Sequence, residues 1–68
     1  MEYLKNKRNG EIYAVVGYGY WQGSEHMTLK RKGQKRNLQL KVSTIKQSME
    51  WYKPGFFEKI KLFFAFYN

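Results

Sequence analysis

The sequence predicts an α+β domain, mostly β: a small antiparallel sheet or an SH3- or OB-like barrel of four to five strands, followed by a short helix and an aromatic C-terminal segment. Three observations carry this expectation. Period-two alternation runs through the chain as far as Ser43, glycine-bearing turns interrupt it, and a helical period replaces it afterwards.

The first hairpin is expected around Asn9-Gly10, because a type I′ turn needs positive φ at both central positions and these residues tolerate it. It would pair Glu2 to Arg8 with Glu11 to Tyr20. In the second strand, alternation puts Ile12, Ala14, Val16, Tyr18 and Tyr20 on one side and Tyr13 and Val15 on the other. Gln22-Gly23-Ser24 reads as the next turn. Glu25 to Arg31 and Asn37 to Ser43 then form a second hairpin, with Met27 and Leu29 facing Leu38, Leu40 and Val42 on the buried side. Thr28, Lys30, Gln39 and Lys41 occupy its other face.

Thr44 and Gln47 have the spacing of a capping box, and Ile45, Met49 and Tyr52 fall on one helical face, which predicts a helix from Ile45 to about Tyr52. Pro54 ends it by disfavouring helical backbone at Lys53. The last stretch fits two periods. As a helix it gathers Phe56, Phe57, Ile60, Phe63, Phe64 and Tyr67 into a wide inward stripe with Glu58, Lys59 and Lys61 outside; as a strand it alternates from Lys59 to Leu62. The nearby proline favours the helix.

Size and composition bound what such a domain can do. With 68 residues there is room for one domain, residues 1–68, and no second core. No cysteine is present, which excludes disulfides and thiolate metal sites and suits a reducing cytoplasm, the expected location. Aromatic residues make up 19% of the chain, enough to build a compact core from rings. Met1 to Gly10 is polar and charged, so no secretory leader is expected, and the longest apolar run, Leu62 to Tyr67, is too short to span a bilayer.

Thirteen Lys and Arg stand against five acids, a formal charge of +8. Such a chain seeks polyanions: nucleic acid first, an acidic protein face second, and an anionic membrane surface less readily. The charge is densest in KRKGQKR, Lys30 to Arg36. Lys30, Arg31, Lys32, Lys35 and Arg36 can reach phosphates on either side of a turn, and Lys41 extends the charge along the strand. Lys5, Lys7 and Arg8 could enlarge the patch. A two-stranded ribbon with a basic end suits a nucleic-acid groove, where phosphate contacts supply affinity without sequence selectivity.

The run GYGYWQG, Gly17 to Gly23, sharpens the question. It misses the dinucleotide fingerprint, because its third glycine comes one residue late and a turn and strand follow where a helix is required. Gly17, Tyr18 and Gly19 resemble the glycine-aromatic strand of RNA-recognition motifs, and the piece is similar to the corresponding strand of cold-shock domains. That resemblance implies base stacking. It covers these few residues only, and Val16, Trp21 and Gly23 depart from the pattern. Alternation would bury Tyr18 and Tyr20, leaving Trp21 for stacking, and only a bulge at Gly17 or Gly19 would turn them outward; Trp51 in the Trp51 to Phe57 stretch offers a second stacking ring.

Catalytic machinery is not expected. His26 is the single histidine, Asp is missing, and Glu25 beside His26 would point to the opposite face of a strand. The sequence therefore predicts a non-enzyme with no cofactor, metal site or small-molecule substrate. Its expected work is nucleic-acid binding through the basic hairpin. The alternative is a phage or mobile-element interaction protein that inhibits a host nucleic-acid-handling enzyme or defence complex.

Overall fold

In a computed structural model that describes residues 2–66, five strands form one antiparallel sheet and two helices pack on it. In chain order these are β1 (Glu2–Asn6), β2 (Ile12–Trp21), β3 (Ser24–Arg31), β4 (Asn37–Lys41), α1 (Val42–Ser48), β5 (Met49–Tyr52) and α2 (Phe56–Phe66). The strand order is β4-β3-β2-β1-β5, so a four-stranded meander is completed by β5 returning to the free edge of β1.

The link between the two sheet edges is the seven-residue α1. A helix of that length is about 10 Å long, whereas four strand spacings in a flat sheet come to about 19 Å. The sheet must therefore curl. Residues from β1, β3, α1 and β5 accordingly line one cavity, Leu4, Met27, Ile45 and Trp51 among them. Of the two architectures expected, the structure has the small antiparallel sheet, five strands in open order.

Curling gives the sheet a concave inner face and a convex outer one, each with its own core. Leu4, Tyr13, Val15, Met27 and Leu29 meet Ile45 and Met49 inside, while Tyr3 and Ala14 meet Leu62 and Phe66 of α2 outside. Leu29 and Ala14 are completely buried, one in each layer. Period-two alternation assigns neighbours Tyr3 and Leu4 to the two cores.

Several boundaries differ from the sequence reading. The Asn9-Gly10 turn is not type I′: of the two, only Gly10 has positive φ, at 76°. The loop is longer because Asn6 Oδ1 accepts from the amides of Arg8 and Asn9, and Asn9 Oδ1 accepts from the Glu11 amide. Asparagine side chains thus add to the loop's backbone bonds, from the Asn6 amide to the Glu11 carbonyl (2.8 Å) and from the Gly10 amide to the Asn6 carbonyl (2.9 Å). The two-residue turn with positive φ at both positions is Gln22-Gly23, at 50° and 78°.

The helix expected over Ile45 to Tyr52 is divided. It starts earlier, at Val42, and ends at Ser48, after which Met49–Tyr52 is a strand paired with β1. The capping box is unused, since Lys41 caps the helix without a side-chain hydrogen bond. An unpaired β1 edge would leave a row of amides and carbonyls without partners, and pairing with β5 satisfies them while Met49 still reaches the inner core.

The last segment is a helix, as the proline favoured, but it is turned the other way. Leu62 and Phe66 are its buried residues, and Phe56, Phe57, Ile60, Phe63 and Phe64 are exposed. Tyr67, assigned to the inward stripe, lies outside the described residues. The inward face is fixed by what it meets: Leu62 and Phe66, four apart, cover the small Ala14 and the Tyr3 ring, which lies 5.9 Å from Phe66. Glu58, one turn before Leu62, accepts a hydrogen bond from the Tyr52 hydroxyl.

Candidate nucleic-acid interface

The decisive local feature is a bulge in β2. Val15 pairs with Leu29 but Gly17 pairs with Thr28, so Val16 is an extra residue and the alternation inverts beyond it. Tyr18 joins the side of Val15 and Met27, and Tyr20 the side of Glu25. They are not core, as strict alternation predicted. Both are exposed, beyond the end of β1, with the Tyr18 hydroxyl donating to Glu2 (2.7 Å) and the Tyr20 hydroxyl to the Gly23 carbonyl (3.0 Å). The Glu2 hydrogen bond, ahead of desolvation, raises the Tyr18 pKa.

Inversion puts Gly17, Gly19 and Trp21 on the convex face, opposite Thr28, His26 and Ser24. Across β3, Thr28 pairs with Gln39, His26 with Lys41 and Lys30 with Asn37. None of these convex-face positions is acidic, since Glu25 and Glu2 belong to the concave side. The area lies beyond the outer core that α2 covers. Gly17 and Gly19 leave its floor without side chains, and nothing stands within 4 Å of where a Gly19 Cβ would be. The result is a shallow strip along β3 and β4 with cations on it.

At one end of the strip, Trp21 is 55% exposed and sits edge-on to the His26 ring, with centroids 5.6 Å apart. His26 beneath it is buried, and its Nδ1 donates to the Ser24 carbonyl at 2.9 Å. A carbonyl can only accept, so this contact fixes the proton on Nδ1. The imidazole is a structural prop for the indole. Glu25 and His26 occupy opposite faces, as their adjacency in a strand predicted.

At the other end is the β3–β4 loop, where Lys32, Lys35 and Arg36 are exposed. Gly33 turns it with φ 77°, and the Gln34 amide donates to the Arg31 carbonyl at 3.1 Å. Seven steps of β3 separate the Trp21 end from this loop, roughly 24 Å at about 3.4 Å per residue. The loop joining β1 to β2 adds exposed Lys7 and Arg8 at this same end of the sheet.

The six cations singled out in the sequence do not form one cluster. Lys41 is exposed on the edge strand beside the Trp21–His26 pair. Lys30 is half-buried and donates to the Phe66 carbonyl (3.1 Å), tying β3 to the C-terminal end of α2, where the helix dipole favours a cation. Arg31 turns to the concave side, 3.8 Å from Glu11, whose carboxylate also accepts from the Tyr13 hydroxyl. Trp51 is far from the loop in the topology: it pairs with Leu4 on the β5 edge and lines a groove with Lys53 and Lys59. Gly17 and Gly19 mark a bulge as the alternative to burial of Tyr18 and Tyr20; the structure has the bulge, between Val15 and Gly17, and what sequence reasoning missed is the glycine floor that it creates.

Among the described residues, no helix is long and apolar enough to cross a membrane. No family model matches the chain, and no curated protein or solved structure is similar to it.

Proposed function

We propose that this protein is a non-enzymatic module that binds single-stranded nucleic acid along the convex strip of β3 and β4. One observation carries the reading: a convex face without acids, floored by Gly17 and Gly19, with an exposed indole at one end and, past Lys30 and the end of α2, an exposed cationic loop at the other. Phosphates meet Lys41, Lys32, Lys35 and Arg36, and a base stacks on Trp21. A backbone can approach a glycine floor closely, and stacking on an exposed ring tolerates any base. Arg31 and Lys30 contribute less, being engaged with Glu11 and the end of α2. Trp51 is not part of this site.

The test is a titration of labelled single- and double-stranded DNA and RNA at low and high salt, read by anisotropy and tryptophan fluorescence together. The reading expects binding that weakens steeply with salt, and indole quenching on single strands that disappears in Trp21→Phe, where Trp51 is the remaining indole. Absence of binding at low salt would overturn it.

A further inference from the structure

We infer that α2 is a docking ridge for an anionic lipid surface, a role independent of the nucleic-acid strip. Its outward side presents Phe56, Phe57, Ile60, Phe63 and Phe64, of which Phe56 and Phe57 are 75% and 77% exposed. The inward side already has its partners, Leu62 and Phe66 on Tyr3 and Ala14. Helix α2 is thus apolar on both sides: among the described residues, Leu62 and Phe66 meet the sheet while Phe56, Phe57, Ile60 and Phe64 stay exposed.

The charge around the ridge decides the occupant. Lys59 and Lys61 flank the stripe, one on each side of the helix, and Lys53 precedes it beside exposed Trp51. The helix has a single carboxylate, Glu58, which is turned toward the sheet and held by the Tyr52 hydroxyl. The outward stripe of the helix is therefore rings flanked by ammonium groups, and the one acid in the groove with Lys53 and Lys59, Glu2, accepts from the Tyr18 hydroxyl. A second copy of the chain would bring the same lysines and the same +8 charge against each other. A bilayer interface with anionic headgroups complements both parts: rings enter the boundary between headgroup and acyl chain, and the lysines reach phosphate. Eleven residues make a helix of about 16 Å, which lies in the interface plane and does not span it.

The experiment uses the full chain carrying Trp21→Phe, Trp51→Phe and Phe56→Trp, so that the sole indole lies on the exposed ridge of α2 rather than on the concave side, where Trp51 lies. It is mixed with vesicles of phosphatidylcholine alone, or of phosphatidylcholine with phosphatidylserine, whose acyl chains are brominated. The expected result is partitioning to the anionic vesicles with quenching of the ridge indole by the bromine. In Phe57→Ser/Phe64→Ser the partition coefficient falls at least about tenfold and the quenching is lost, because two rings no longer enter the interface. Both positions are exposed, and an unchanged circular dichroism spectrum establishes that the variant is folded. Lys59→Gln/Lys61→Gln lowers the salt-sensitive part of the binding.

Three outcomes would overturn the inference: no partitioning to anionic vesicles, partitioning without quenching that survives the Phe57/Phe64 substitutions, or a concentration-dependent dimer abolished by them. The second would assign lipid adsorption to the cationic loop, and the third would assign the ridge to a second copy. Failure of nucleic-acid binding would leave the quenching result untouched, so the two readings fail separately.

Discussion

Trp21 rests edge-on against His26, ring planes inclined at 62°, and the imidazole below is itself anchored to the Ser24 carbonyl. The pair spans the end of the β2–β3 hairpin, where Trp21 lies opposite Ser24 and the Gln22-Gly23 turn closes the ladder. A ring held this way presents a fixed face to solvent at little entropic cost, which is what a stacking platform requires.

Trp21→Ala is accordingly expected to weaken single-strand binding roughly 5- to 150-fold, the range for losing one base–aromatic stack of about 1–3 kcal/mol. It should cost only about 1 kcal/mol of stability through the lost ring contact. Anisotropy and urea denaturation on the same preparation check both. A full loss of stability with unchanged affinity would make the indole structural.

The cationic loop makes a different prediction. Lys32→Glu/Lys35→Glu/Arg36→Glu should lower affinity for all sequences alike and reduce the slope of log K against log salt by about 2, since each phosphate contact on a single strand contributes about 0.7. These side chains are exposed, so the melting temperature should change little. An unchanged slope would remove the loop from the site.

The fold was readable wherever one period ruled. That Met27 and Leu29 share a side with Leu38 and Leu40 follows from alternation, and the register then pairs Met27 with Leu40 and Leu29 with Leu38, while Val42 begins α1. The inversion after Val16 was legible only as an alternative that Gly17 and Gly19 allowed, because one extra residue leaves the composition of a strand unchanged while moving every later side chain to the other face. Tyr18 and Tyr20 changed sides for that reason. The orientation of α2 was hidden for another. Its outward stripe is more apolar than its inward one, and only the smallness of Ala14 and the position of Tyr3 show which side the sheet can accept. Of the binding strip, the cations and Trp21 were visible in the sequence, while the way Lys30 and Arg31 are drawn off to Phe66 and Glu11 required the register.

Gln22 gives a prediction about stability. It has φ 50° in a two-residue turn whose geometry asparagine or glycine adopts more readily. Gln22→Asn is expected to stabilise the protein by about 0.5–1 kcal/mol, seen as a higher denaturation midpoint with an unchanged m-value. The exposed side chain loses nothing in the exchange. A lower midpoint would mean that Gln22 makes a contact worth more than its backbone strain.

Alkaline pH should weaken the fold through Tyr13. Its ring is buried in the inner core and its hydroxyl donates to Glu11 at 2.9 Å. Burial first, then the hydrogen bond to Glu11 and that carboxylate's charge, raise the phenol above its ordinary value of 10.0, with the Arg31 charge opposing. The folded state therefore favours the neutral phenol. Below pH 10 the phenol is protonated in both states and its stabilisation is fully present; as pH rises past the ordinary value, the unfolded chain loses its proton first. The unfolded state then binds fewer protons than the folded one, so stability declines with pH until the folded phenol ionises too. Tyr18 and Tyr52, hydrogen-bonded to Glu2 and Glu58, shift in the same direction but are exposed to solvent, which screens them. Urea midpoints measured between about pH 8 and about pH 11 should fall more steeply for the native chain than for Tyr13→Phe. The variant should also start lower at neutral pH, because Glu11 loses a donor. Parallel curves for the two proteins would show that the decline belongs to other groups, and that the Tyr13 hydroxyl titrates in the fold as it does in the unfolded chain.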